Sequence, residues 1–436
     1  MMSIGFLLII LVGTVLLTLP AASKLDPVPI TDALFTATSA TCVTGLIIAD
    51  TFTQWSLFGQ VVIIVLVQIG GLGIMTFATL ISIILRKRIG LTERLLISES
   101  LSTGLVSGVV RLAIKVFIFS VIIESTGAVI LSIRFVRDFG IDQGIYRGIF
   151  YSISSFCNAG FDLMGSDKAF SSLTNYSGDI TVNTTVMALT LIGGLGFIVL
   201  SDIFHNRTDV KKYSIHTKIV LIVTAIIIVS ATVIYFIFEF NNAATIKNMP
   251  IKSKVLVSMF QSVTSRTAGF STVNISAMKD SSIIILLFLM FIGASPGSTG
   301  GGIKTTTFAT IILTVVSLLR GKEDVTVFGK RLHRAAVSRA ISVLFIAGIS
   351  IIFVSATICF IEGLPVKEVL FEVVSAFSTV GLSFGITPDL HGISKILLIF
   401  MMYFGRVGVL TLTFAISSKL QKHTSYRLPE ENIMIG

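Results

Sequence analysis

Four short stretches of the chain carry residue types that could act together: Thr41-Cys42-Val43-Thr44-Gly45-Leu46, Phe156-Cys157-Asn158-Ala159-Gly160-Phe161, Ser265-Arg266-Thr267-Ala268-Gly269-Phe270 and Phe377-Ser378-Thr379-Val380-Gly381-Leu382. Their glycines stand 115, 109 and 112 residues apart, steps too even for chance and longer than any solenoid repeat. The chemistry that fits is coordination by backbone oxygen. Glycine takes positive φ without a steric cost, so Val43-Thr44-Gly45 or Thr379-Val380-Gly381 can turn successive carbonyls to one side. Together with Asn158-Ala159-Gly160 and Thr267-Ala268-Gly269, four such tripeptides around an axis would form an oxygen cage. Such a cage replaces the hydration shell of a large monovalent cation such as potassium. None of the tripeptides carries a carboxylate, which argues against a divalent ion.

A second group lies in the third and fourth copies. Gly293-Ala294-Ser295-Pro296-Gly297-Ser298-Thr299-Gly300-Gly301-Gly302-Ile303-Lys304-Thr305-Thr306-Thr307 interrupts an apolar run, and irregular backbone at membrane depth must face protein or water. A flexible loop below the cage is expected to act as a gate. The rival is a phosphate loop, but Ile303 separates Gly302 from Lys304 and no strand precedes it. Arg406 stands where the other copies have Gly71, Gly194 and Ala294. A cation at mid-membrane costs at least about 2.5 kcal/mol unless paired or hydrated. Two roles are open to it, a charge barrier under the cage or one half of a buried pair with Glu372, and both can hold in different states of the gate.

Enzymatic chemistry has nothing to stand on. Cys42, Cys157 and Cys359 lack CxxC spacing and read as small apolar fillers. The five histidines lie in loops or the tail, and no paired-carboxylate, triad or HExxH pattern occurs. Glu124 is expected to meet a neighbouring helix, and Asp202 and Glu239 to mark the ends of spans.

These residues require particular elements to hold them. With 53% hydrophobic and 13% charged residues, the chain cannot be a soluble core with a polar shell; it is expected to be an integral membrane protein. Apolar runs at 4–19, 55–85, 112–133, 184–201, 219–240, 281–319, 340–360 and 393–420 predict eight spans. The first run resembles a signal peptide but lacks a preceding positive charge, and is expected to be a spanning helix trimmed of a cytoplasmic lead. Between paired spans, 30–40, 146–155, 253–264 and 366–377 predict short helices that cannot cross a ~30 Å core. Pro29, Pro250 and Pro365 stand at the starts of three of them. The C-terminal ends of these helices, partly negative, would face the turns and favour cations. Arg86, Lys87, Arg88, Arg94, Arg207, Lys211, Lys212, Lys218, the basic run of 320–339 and the tail place the connectors in the cytoplasm and the turns outside. The same pattern accounts for the net charge of +10 without nucleic acid. Behind each turn a second landmark recurs, at Gly70-Gly71, Gly193-Gly194, Gly293-Ala294 and Gly405-Arg406; for the first two, close helix packing is the expected role.

Taken together, the four turns, the 293–307 break and Gly405-Arg406-Val407-Gly408 resemble the Trk/Ktr/HKT superfamily of potassium uptake proteins, nearest the membrane subunit of bacterial Ktr systems, over essentially the whole chain. The resemblance implies an all-α membrane protein with eight transmembrane helices. These would form four span, pore-helix, filter-loop, span repeats around a pseudo-fourfold pore, at 1–88, 89–208, 209–322 and 323–436. It implies one potassium site held by Gly45, Gly160, Gly269 and Gly381, with glycine rather than serine at the first position favouring potassium over sodium. It maps the intramembrane gate onto 293–307 and the basic fourth-unit residue onto Arg406, with Glu372 as partner. It implies a homodimer in the cell membrane on a cytosolic ring of RCK subunits that bind nucleotide, and sodium-dependent uptake in many relatives. With no G-x-G-x-x-G fingerprint here, the nucleotide-binding regulator is expected to be a separate polypeptide, docking on the basic face of 320–339. No organic cofactor is expected in this chain.

Overall fold

The computed structural model describes residues 2–73, 76, 77, 79, 90, 94, 95, 108–166, 168–207, 209–322 and 324–408. The basic residues expected at 86–88 and in the tail lie outside them. Among the described residues the regular structure is helical apart from one hairpin of two-residue strands, β1 (Thr326–Val327) and β2 (Lys330–Arg331), paired antiparallel.

In order the helices are α1 (Met2–Thr18), α2 (Ile30–Cys42), the single turn α3 (Thr51–Gln54), α4 (Leu57–Leu72), α5 (Val109–Phe156), α6 (Ile180–Leu195), α7 (Phe197–Asn206), α8 (Ile215–Glu239), α9 (Ile251–Thr264), α10 (Asp280–Phe291), α11 (Thr305–Leu319), α12 (Arg334–Glu362), α13 (Val366–Ser378) and α14 (Gly392–Val407). Pro29, Pro250 and Pro365 are the N-caps of α2, α9 and α13, positions where the missing amide hydrogen is not needed. The expected short helix at 146–155 is the second limb of α5. Gly140 (φ 77°, ψ 175°) breaks α5 into a hairpin. Added β-carbons at Gly144 and Gly148 would run into Val136 and Ser132 of the first limb, so bare backbone is what lets the limbs close.

Membrane character shows in which face each helix hides. Helix α8 buries Thr217, Val220, Thr224, Ile227, Ala231, Tyr235 and Glu239, a stripe at helical spacing, and exposes Ile226, Val229, Val233 and Ile237. The apolar side faces outward, as lipid allows and water does not. Among the described residues α5, α8 and α12 are each long and apolar enough to span a bilayer alone, and the bent pair α6–α7 makes up to four.

The expected runs of 184–201 and 281–319 are not continuous helices. The first turns through 96° at Gly196 (φ 95°); the second is open from Ile292 to Lys304. Helices α4 and α14 likewise stop at Gly73 (φ 85°) and Gly408 (φ 96°). Beyond these two glycines, the remainder of the 55–85 and 393–420 runs lies almost wholly outside the described residues. At Gly73, Gly196 and Gly408 the cause of the stop is local. A glycine with φ near +90° cannot continue a right-handed helix.

The short helices pack in an ordered way. Helix α2 touches α1, α4 and α14; α5 touches α6 and α4; α9 touches α8 and α6; α13 touches α12, α14 and α10. Gly70, Gly193 and Gly405 make part of this possible, because a β-carbon there would overlap the carbonyls of Thr41, Phe156 and Phe377 at the ends of the short helices. Close packing, expected for the first two glycine pairs, is met at Gly70 and Gly193. Replacing Gly405 with alanine is expected to cost about 1–3 kcal/mol through overpacking, whereas Gly348→Ala, which meets open space, should be neutral or stabilising by up to about 1 kcal/mol. Thermal unfolding of the two variants in detergent checks this contrast.

Candidate functional site

Each short helix ends in the same way. Two residues before each glycine the chain turns left-handed, at Val43 (φ 59°), Asn158 (φ 61°), Thr267 (φ 111°) and Thr379 (φ 51°), and the glycines themselves take φ 84°, 71°, 78° and 89°. Between them the amides of Thr44, Ala159 and Val380 bond back to the carbonyls of Ser39, Ser154 and Ser375 at 2.8, 2.8 and 2.9 Å. In the third turn Ala268 reaches Thr264 at 3.0 Å, one residue tighter. These bonds satisfy carbonyls that a helix end leaves open.

A hydroxyl seals each turn. The Gly45 and Gly381 amides donate to Ser39 and Ser375 Oγ, both at 3.1 Å. Ser154 and Thr264 instead donate to the carbonyls of Phe161 (2.8 Å) and Phe270 (2.6 Å) just past the glycine. Sequence reasoning missed these four residues. The signal was there, since a serine stands six residues before three of the glycines.

The glycines form a closed circuit. A β-carbon on Gly45 would overlap the Ala159 carbonyl; on Gly160 it would lie 2.9 Å from the Ala268 carbonyl oxygen; on Gly269, 2.5 Å from that of Val380; on Gly381 it would overlap the carbonyl of Thr44. Each glycine thus abuts the carbonyl preceding the next glycine, and the fourth returns to the first. All four line one cavity of about 260 Å³ with Asp162, Asn274 and Ser383. Val43, Thr44, Asn158, Ala159, Thr267, Ala268, Thr379 and Val380 are buried around it.

Below the turns lies the 293–307 loop, pinned at its ends by a bridge between Ile292 and Ile303. The Ser295 and Thr299 amides donate to the carbonyls of Gly194 and Gly193 at 3.1 and 3.2 Å, and the Phe197 amide donates to the Gly297 carbonyl at 2.8 Å. Two carbonyls and one amide at the break around Gly196 are therefore closed by the loop, as a water-poor interior demands. Pro296 lies against Gly196 and Gly293 against Gly301. Ser298 Oγ donates to the Ser295 carbonyl at 2.6 Å, and Lys304 Nζ to that of Gly300 at 2.6 Å. Gly302 takes φ 72°.

Arg406 donates to the carbonyls of Thr299, Gly70 and Gly71, tying the loop to the end of α4. The expected pairing with Glu372 needs correction. Glu372 accepts from Ser383 Oγ (2.6 Å), the Phe384 amide (2.9 Å) and Thr387 Oγ1 (2.8 Å), fastening the segment beyond the fourth turn, and its donors leave no need for a guanidinium. The Arg406 charge is spread instead over carbonyl dipoles at a helix C-terminus, where cations are favoured. Glu124 does meet a neighbouring helix: Gln68 Nε2 donates to both carboxylate oxygens at 3.0 and 2.9 Å. Glu239, the last residue of α8, accepts from Asn242, Thr245 and the Lys279 amide, and Asp202, midway along α7, accepts from the Ser214 amide and Thr217 Oγ1 at the start of α8.

The structure is thus a helical protein with outward-facing apolar helix surfaces, in which the glycine turns after four short helices close a circuit and line one cavity. Residues 5–427 match the TrkH family model, described as a cation transport protein, and the chain belongs to that family. It is 42% identical over 439 residues to the Ktr system potassium uptake protein B of Bacillus subtilis, covering all of this chain and 96% of that one. It is 40% identical to the potassium/sodium uptake protein NtpJ of Enterococcus hirae, covering 99% and 96%. The crystal structure of the potassium transporter TrkH from Vibrio parahaemolyticus shares the fold, with a TM-score of 0.74 over 96% of this chain and 86% of that chain at 19% identity. The chain is thus an integral membrane transport protein and not an enzyme.

Because Arg406 and Glu372 use separate partners, the stability losses of Arg406→Gln and Glu372→Gln should add in the double variant to within about 0.5 kcal/mol. Thermal unfolding of the two single variants and the double variant measures this, and coupling beyond that margin would show that the two side chains meet.

Proposed function

We propose that the chain takes up potassium across the cell membrane through a filter formed by the four glycine turns. The observation that carries this reading is the closed circuit, in which each glycine abuts the carbonyl preceding the next. Four helix ends of one polarity meet there, so carbonyl oxygens and partial negative charge converge where a dehydrated cation needs both. The units at 1–88, 89–208, 209–322 and 323–436 are read as four repeats around a pseudo-fourfold axis, each supplying two of eight spans. The cyclic order in which each short helix packs on a span of the preceding unit supports this.

Potassium as cargo is supported by the names of the relatives, and the potassium/sodium uptake protein among them supports sodium as a second ion that is carried or coupled. The 293–307 loop lies under the filter and acts as the gate. Arg406 clamps it, placing a fixed positive charge in the path of a cation. Control comes from a separate cytosolic RCK ring that binds nucleotide and meets the basic face of 320–339, with the membrane subunit working as a homodimer. Naming of relatives as parts of a Ktr system supports a partner subunit.

Glycine is required at the filter for space as well as for φ. Gly45→Ser would thrust a β-carbon into the Ala159 carbonyl and displace one side of the cage; potassium preference over sodium should fall by roughly tenfold or more, the factor set by about 1.4 kcal/mol of lost discrimination. Competitive ion uptake into liposomes measures it, and an unchanged preference would refute the filter. Deleting residues 295–301 should raise flux in the absence of the soluble partner; a deletion variant still silent without that partner would refute the gate.

A further inference from the structure

The loop is not only beneath the turns but meets three of them at the position two residues before the glycine, by hydrogen bonds in the second and fourth and by close contact in the third. Three of the four residues at that position are polar: Asn158, Thr267 and Thr379. The buried amide of Gly301 donates to Thr379 Oγ1 at 2.9 Å. Gly300 and Gly301 come so near that a β-carbon on the first would stand 2.5 Å from Thr267 Oγ1, and on the second 2.5 Å from Thr379 Oγ1 and 2.8 Å from its Cγ2. The Asn158 amide satisfies its surroundings when its nitrogen donates to the Thr190 and Ser155 carbonyls, both at 3.1 Å. Its oxygen then accepts from the hydroxyls of Thr267 and the loop's own Thr299, both at 3.3 Å. The Phe156 carbonyl, 3.2 Å from Thr299 Oγ1, is the alternative acceptor for the single hydrogen of that hydroxyl, so either bond ties Thr299 to the second turn. In the first turn the corresponding residue is the apolar Val43, and on that side Arg406 joins the Thr299 carbonyl to Gly70.

We propose that Thr379 is a positioning residue that latches the loop shut against the inner rim of the filter, with Asn158 and Thr267 forming the second half of the latch. Release of the loop and freeing of the rim hydroxyls are then a single event. The inference rests on reading the turns as a filter and the loop as its gate. Its physical basis is the cost of an unmet amide. With the loop closed, the Gly301 N–H is buried and Thr379 supplies its acceptor; an apolar side chain of the same shape would leave it unpaired and raise the free energy of the closed state alone. The equilibrium would shift toward the open loop. An asparagine and two threonines at equivalent positions, with a valine at the fourth, fit a loop that is itself asymmetric and touches each unit differently.

The experiment compares Thr379→Val with Thr379→Ser in the full chain, reconstituted in liposomes without soluble partner, by rubidium uptake. Valine keeps the shape and loses the acceptor, while serine keeps the acceptor. The valine variant should pass roughly fivefold more rubidium than the serine variant, the factor that one ordinary hydrogen bond is worth. Gly301→Ala attacks the same contact from the loop side and covers the case in which the valine variant does not fold; it should also exceed the wild-type rate. Equal uptake by the threonine variants, together with wild-type uptake by Gly301→Ala, overturns the latch. Failure of the filter reading looks different, since it leaves ion preference unmoved in Gly45→Ser; if the latch alone is wrong, Gly45→Ser still shifts preference.

Discussion

The rest of the structure depends on how near four strands of backbone can come to one another. At Gly45, Gly160, Gly269 and Gly381 a single β-carbon would press on the carbonyl of the adjoining turn, so the circuit exists only because these residues have none. Everything around it serves to hold that approach. Left-handed residues two positions earlier aim the chain, hydroxyls of Ser39, Ser154, Thr264 and Ser375 fix its amides and carbonyls, and a second set of glycines lets the spans press on the short helices from behind.

The same constraint explains the breaks. Backbone groups away from water must be paired, and a helix that stops inside the membrane leaves several unpaired. At Gly196 the chain stops and turns, and the carbonyls and amide so exposed are met by Ser295, Thr299 and Gly297 of the loop. Loop and break are therefore complementary. A loop that moved would leave the end of α6 with open carbonyls, so closure is held by many weak bonds, while the Arg406 clamp adds charge-assisted ones. Under the proposed function this gives a barrier that is stable when closed yet dismantled piece by piece.

Much of this was legible in the sequence. The turns, the short helices, their proline starts and the position of the loop can be read from glycine spacing and from the lengths of apolar runs, because both reflect strict steric and bilayer limits. Other features were not legible. The kink at Gly196 lies inside an apolar run that reads as one span, and only the loop from another part of the chain makes it tolerable. The carbonyl partners of Arg406 are not legible because a buried guanidinium points first to a carboxylate, whereas the helix-end carbonyls of Gly70 and Gly71 lie over 300 residues away in sequence. The donors to Glu372 are not legible either, since Ser383, Phe384 and Thr387 sit in a segment with no pattern of its own.

The central claim is that one dehydrated monovalent cation sits where the four turns meet. Anomalous diffraction from crystals of the protein grown with rubidium in place of potassium tests it most directly. The account predicts a single strong peak on the axis of the circuit, within coordination distance of carbonyls from all four turns. Rubidium bound elsewhere, or no peak in the circuit from protein that still transports the ion, would contradict it.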